Sequence, residues 1–321
     1  MPGLRTCPPA AIMQTGTLGD VRMPTVPITP LAAIDIGSHS ALLLIAQYRQ
    51  GYLEPLVDLA RTTHLGEGVA RSGYLAEAAM ARTLMVLWDY GHILQRYGIH
   101  QPVCYGTAAL RQAKNSALLQ QRVLQELGWP IRILSGAEEA HYTFRGATAQ
   151  IPEAGAVVVD IGGGSTEVVM GQRDHIEASW SLPVGAVSLR ERFEICDRIP
   201  GPIAQAMDAY LEQLFQPLPA TTLPLLVTGG TPTTLAALML DLNSYDSRRI
   251  DGHCFELEDF EMLYDELNHL SLQQRADLPA MERGRAMVIL PALRLLITLM
   301  KQLRSLQLIV TVRGPRYGIL L

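Results

Sequence analysis

The chain has 321 residues, 48% hydrophobic and 18% charged, with a net charge of −5. That length and apolar content suit two domains with real cores, and the acidic balance excludes a general basic surface for nucleic acid. Cys7, Cys104, Cys196 and Cys254 form no C-x-x-C pair and the eight histidines no H-x-x-x-H pattern, so zinc is not expected and the thiols read as reduced, in a cytoplasmic protein.

Residues 1–30 are proline-rich and lack an apolar run; they read as a disordered leader rather than a secretory signal, with Met13 and Met23 as alternative starts. Strands follow over 31–46 and 52–58 around Gly51, then a loop through His64–Gly68. Met80, Leu84, Leu87, Gly91 and Leu94 fall on one stripe and predict a helix over 75–97, stopped by Gly98. A strand over 102–107, a helix over 108–126, a strand over 131–134 and a helix from near Ala137 complete a first α/β domain, 31–150. The stretch 152–155 reads as the crossing to a second domain, 151–305. There, strands are expected over 156–160, 166–170 and 176–182, and helices over 185–194 and 202–215. A strand over 225–228 enters Gly229-Gly230-Thr231 and a helix from about 232. An amphipathic helix over 257–270, a helix over 282–304 and a strand over 306–312 end the chain; the segment 306–321 is expected to return to the first domain. The apolar run 286–300 is interrupted by Pro291 and Arg294 and is too short to span a bilayer, so no membrane partner is expected.

Two stretches repeat each other. Ala33-Ile34-Asp35-Ile36-Gly37-Ser38-His39-Ser40 and Val158-Val159-Asp160-Ile161-Gly162-Gly163-Gly164-Ser165-Thr166-Glu167 each read as buried strand, carboxylate, turn of small residues and second strand. Such turns leave backbone N–H groups pointing outward to cradle phosphate, while the aspartate holds a metal or orients water. Two copies imply two related lobes facing one cleft, and phosphate chemistry between them. Gly230 and Thr231 form a third turn at a helix start. Asp35 and Asp160 are the metal candidates, with Mg²⁺ completed by substrate oxygens. Glu138 and Glu167 are candidates for activating water, although acids in a helix's first turn also simply favour its dipole. Arg111 could clamp phosphate oxygens as a planar fork or be an ordinary solvated helix arginine.

Together the segments AAIDIGSHS, HLGEGV, GTAALRQAKN, ILSGAEEA, VVVDIGGGSTEVVMG, SLPVGAVSLRERF and VTGGTPTTLAAL resemble the exopolyphosphatase / guanosine pentaphosphate phosphatase family, in order, over roughly 31–321. The resemblance implies two actin-like (ribonuclease H-like) lobes with an interlobe cleft, and Mg²⁺-dependent release of terminal phosphate from polyphosphate or, alternatively, guanosine pentaphosphate. It implies Glu138 as catalytic base and Glu167 as second essential acid. It places Asp160, Gly162, Gly163, Gly164 and Ser165 in the magnesium and phosphate turn, and Asp35, Gly37 and Ser38 in the first turn. Arg111, Gly230 and Thr231 become phosphate ligands, and Arg285 lies in a helix match that can face the cleft. His39 stands where the family usually has Asn, and Leu42 where it often has a cation, which puts substrate choice in question. A weakly catalytic alarmone or polyphosphate sensor and a sugar or acetate kinase are the readings from other classes. A homodimer is compatible with all of them.

Overall fold

The computed structural model describes residues 29–49, 52–151, 155–172, 175–281 and 284–321. Of the leader expected over 1–30, residues 1–28 lie outside them. The described chain forms two compact units: the part up to Gln150 joined by Pro315–Leu321, and Ile151–Gly314.

The first unit opens with β1 (Leu31–Ile36), β2 (Ser40–Arg49) and β3 (Tyr52–Thr62), an antiparallel meander. The short α1 (Val69–Ser72) precedes the long α2 (Glu77–Arg96), and β4 (Val103–Gly106) then pairs parallel to β1. Next come α3 (Ala108–Gln112), α4 (Ser116–Leu127), β5 (Ile131–Ile133) and α5 (Gly136–Thr148). The sheet order is β3-β2-β1-β4-β5. The single helix expected over 108–126 is two. Asn115 leaves the helical path so that its side chain can bracket the Leu75 backbone, accepting from N at 2.8 Å and donating to O at 3.0 Å.

The second unit repeats the scheme. β6 (Ala156–Ile161), β7 (Thr166–Gln172) and β8 (His175–Leu182) form the meander, followed by α6 (Ala186–Arg192) and α7 (Gly201–Phe215). Then come β9 (Leu225–Thr228), α8 (Gly230–Met239), α9 (Ser247–Ile250), β10 (His253–Glu256), α10 (Leu257–His269), α11 (Leu272–Ala276), α12 (Ile289–Leu303) and β11 (Gln307–Val310). The order β10-β11-β9-β6-β7-β8 contains the first sheet's pattern plus one edge strand. The helix expected over 282–304 begins only at Ile289. Pro291 sits in its first turn, where a missing N–H costs nothing, so it marks a start rather than an interruption.

One expectation is corrected. β11 lies between β9 and β10, so the strand of the 306–321 segment stays in the second unit. Only α13 (Pro315–Gly318) and the residues after it join the first unit. Tyr317 and Leu320 pack there with Ala33, Leu44, Leu53 and Tyr105. Arg316 is buried and donates to Asp58, and the Tyr317 hydroxyl donates to the same carboxylate at 3.1 Å. Removing one partner of such a pair strands the other charge, so Arg316→Ala is expected to cost about 3–5 kcal/mol of unfolding free energy. Urea unfolding measures it; a loss below about 1 kcal/mol would show that the C-terminal return is not held by this pair.

Of the described cysteines, Cys104 and Cys196 are free thiols. Cys7 lies outside the described residues. No described helix is long and apolar enough to cross a membrane.

Candidate active site

Both aspartates stand at the same place in their units. Strand alternation turns Ile34 and Ile36 into the α2 side of the first sheet and leaves Ala33 and Asp35 on the other face. Likewise Val157, Val159 and Ile161 enter the main core of the second unit, leaving Asp160 on the opposite face. The turns after them are closed by the same bond. Gly37 N–H donates to Ser40 O at 3.0 Å, and Gly162 N–H to Ser165 O at 2.9 Å. The next carbonyls are held from outside. Ser38 O accepts from Gly66 N (2.8 Å) and His39 O from Thr63 and His64 N (2.9 Å each). In the second unit, Gly162 O accepts from Ala186 N (3.0 Å) and Gly163 O from Val187 N (2.8 Å) and Ser188 N (3.0 Å). With these carbonyls engaged within the protein, the exposed segments at Ser38–His39 and Gly163–Gly164 are suited to offer amide N–H groups to an anion.

Gly185 makes the second arrangement possible, because a Cβ there would lie 2.6 Å from the Gly163 carbonyl carbon and collide with Gly162 O. Gly185→Ala is expected to push the Gly162–Ser165 turn out of place and lower kcat/KM at least ~10-fold, since small displacements of positioning groups cost that much. Steady-state kinetics on a variant with unchanged circular dichroism tests this; wild-type kcat/KM would show that the turn tolerates movement.

Asp160 is half-buried and lies in register with Glu167 on β7 and Thr228 on β9, and Glu167 with Ser181 on β8. Ser181 Oγ donates to Glu167 at 3.2 Å. The two acids therefore share one face of the sheet as direct cross-strand neighbours. The third turn meets them from β9. Gly229 has φ 108°, a conformation that disfavours side chains, and a Cβ there would lie 2.8 Å from Asp160 Oδ1. Gly230 starts α8, and the half-buried Arg285 guanidinium lies against it. A cation beside a helix N-terminus favours an anion there. Thr231 is 4% exposed, so the turn offers backbone amides rather than that hydroxyl.

In the first unit the geometry separates the two acids of α5. Ser135 is the N-cap and Glu138 its reciprocal partner. Glu138 Oε2 accepts from Ser135 N (2.9 Å) and Oγ (2.8 Å), Ser135 Oγ accepts from Glu138 N (3.2 Å), and Arg132 pairs with Glu138 Oε1. The Ser135 backbone and hydroxyl, then Arg132, pull the Glu138 carboxyl down to about 2. A carboxylate so committed is a poor proton acceptor at neutral pH. Glu139 lies the next step round the helix and accepts from Arg111 Nη1 at 3.0 Å, while Arg111 also donates to Leu134 O at 2.7 Å. Arg111 is thus fixed between β5 and Glu139. The capping-box pattern Ser135-Gly136-Ala137-Glu138 is the sequence signal for the cap that Glu138 makes; Glu139 is paired with Arg111 instead.

Asp35 is 7% exposed, and its Oδ1 has no hydrogen-bond partner. Burial, then the charge of Glu139, raises its carboxyl to about 7, against Arg316 and Tyr105. The Tyr105 hydroxyl is near enough to influence Asp35 yet is itself buried without hydrogen-bond geometry. An orphaned buried carboxylate oxygen suits a cation. No three described His, Cys, Asp or Glu side chains cluster as a metal cage, so a Mg²⁺ at Asp35 or Asp160 would be completed by phosphate oxygens and water.

Known proteins resemble this arrangement throughout. The pattern of the Ppx/GppA phosphatase family matches residues 44–321. Exopolyphosphatase 2 of Mycobacterium tuberculosis is 35% identical over 281 residues, covering 82% of this chain and 87% of that one. A crystal structure of the Aquifex aeolicus Ppx/GppA family member superposes with TM-score 0.82 at 31% identity, over 92% of this chain and 97% of its own. A guanosine-5′-triphosphate,3′-diphosphate pyrophosphatase of Vibrio vulnificus is 35% identical over 163 residues, half of this chain and 33% of that one.

Proposed function

The chain belongs to the Ppx/GppA phosphatase family, and from that premise we propose that it is a Mg²⁺-dependent exopolyphosphatase, releasing orthophosphate from the end of inorganic polyphosphate. The observation that carries the reading is the pair of turns after Asp35 and Asp160, each closed by its glycine N–H and each with two carbonyls accepting from elsewhere in its own unit. Two anion cradles suit a substrate made of repeated phosphate groups better than a single phosphoryl donor with an organic acceptor, which disfavours the kinase reading.

In this proposal the Ser38–His39 and Gly162–Ser165 amides, Arg111, Arg285 and the first turn of α8 hold phosphate oxygens. Glu139 takes the proton from the attacking water, the role the resemblance gave to Glu138, and Glu167 keeps the role of second essential acid that the resemblance implies. Bound at Asp35 or Asp160, Mg²⁺ would neutralise charge on the phosphates. Guanosine pentaphosphate is the second reading, favoured by the partial match to the Vibrio enzyme. The free thiols of Cys104 and Cys196 support a cytoplasmic location.

Phosphate release measured side by side on long polyphosphate, short polyphosphate and guanosine pentaphosphate, with Mg²⁺, tests the assignment. The expected order has polyphosphate first. Faster release from guanosine pentaphosphate would transfer the assignment to the second reading, and binding without release would make the protein a sensor.

A further inference from the structure

Away from the two turns, the first unit holds a cavity of about 450 Å³ between α1 and the start of α2. Its walls include Glu67, Arg71, Tyr74 and Arg82. Arg71 is exposed and has no ion-pair partner among the described residues. Arg82, its side chain 44% exposed, meets the 74% exposed Glu67 only at 3.5 Å, and donates through Nε to Thr63 O at 3.0 Å. Such a loose, exposed pair contributes little and exchanges readily for a stronger anion. Tyr74 is 52% exposed, and the Lys114 ammonium stands 5.6 Å from its ring centroid. The cavity is of small-molecule size, offers two guanidiniums to a phosphate and carries an aromatic ring at its lip.

Residues adjoining these walls are bonded to both phosphate-binding elements of the unit. On one side, Thr63 and His64 hold His39 O, and Gly66 holds Ser38 O. On the other, Lys114 N donates to Gly73 O at 2.9 Å and Asn115 brackets Leu75, joining the cavity to the segment that follows Arg111. We propose that this cavity is an effector site for a nucleoside phosphate, whose phosphates sit on Arg71 and Arg82 and whose base lies on Tyr74. A phosphate that takes Arg82 from Glu67 acts on the loop that fixes Ser38 and His39. Occupancy therefore alters how the first turn meets its own anion. Binding stands apart from the hydrolase reading, and only the effect on turnover rests on it.

Calorimetric titration of the full chain with ADP and with pyrophosphate tests the site. ADP is expected to bind, and Arg71→Ala to weaken it at least ~10-fold through loss of a charge-assisted contact. Tyr74→Ala is expected to weaken ADP several-fold while leaving pyrophosphate unchanged. Both residues are exposed, so circular dichroism should show intact folds. ADP binding should persist in Glu139→Gln saturated with polyphosphate, which keeps the substrate unhydrolysed. No ADP heat at millimolar concentration, equal affinity in Arg71→Ala, or full displacement by polyphosphate would each overturn the site. Pyrophosphate binding as tightly as ADP would overturn the nucleoside assignment.

Discussion

Glu139→Gln is expected to lower kcat by ~100-fold or more while leaving polyphosphate binding within a few-fold, because the amide keeps the shape and cannot accept a proton. Its neighbour provides the control. Glu138→Gln should keep most of its turnover, since the Glu138 carboxylate is engaged by Ser135 and Arg132. What Glu138 contributes is a helix cap. Its lowered pKa makes that contribution present above its ordinary 4.5 and lost as pH falls toward about 2, outside the range of any useful assay. Single-turnover phosphate release on the two variants decides between the acids. If Glu138→Gln lost more than Glu139→Gln, the base would be Glu138 and the capping geometry a resting arrangement that substrate undoes.

Asp35→Asn should stabilise the protein in alkaline buffer. Burial raises the Asp35 carboxyl from 3.8 to about 7, so between those values the folded chain binds more protons than the unfolded one. Stability therefore falls as pH rises through this window. A shift of about three units corresponds to about 4 kcal/mol at full effect. The asparagine variant does not ionise and should lose that slope, melting higher than wild type at pH 8 and near it at pH 4. Mg²⁺ supplies a second readout. An ion held by Asp35 compensates the buried charge, so added Mg²⁺ should raise the wild-type Tm at pH 8 more than that of the variant. Identical pH slopes in the two proteins would mean that Asp35 stays ionised without cost.

The sequence showed the turns clearly because physics leaves few alternatives there. The apolar run Val157–Val159 can only be a strand buried on both faces, and an aspartate followed by glycines must end it. Amphipathic α2 and α10 were equally legible from their stripes. What the sequence concealed was long-range pairing. β10 is four residues of edge strand, His253–Glu256, with no alternation of its own, and it exists because β11 offers it an antiparallel partner. The break at Asn115 depends on Leu75, forty residues earlier. The partners that distinguish Glu138 from Glu139, Arg132 and Arg111, arrive from β5 and α3.

The return of Pro315–Leu321 to the first unit has a consequence for synthesis. Everything else in that unit has emerged once Gln150 is made, yet Tyr317 and Leu320 belong to its core and Arg316 neutralises its buried Asp58. At ~5–20 residues per second the ribosome needs on the order of ten to thirty seconds to supply them. Through that interval Asp58 and Tyr105 stand without their cover, while the second unit completes its sheet as soon as β11 appears. The unit translated first is therefore the one finished last, and the nascent chain waits half-built on its N-terminal side.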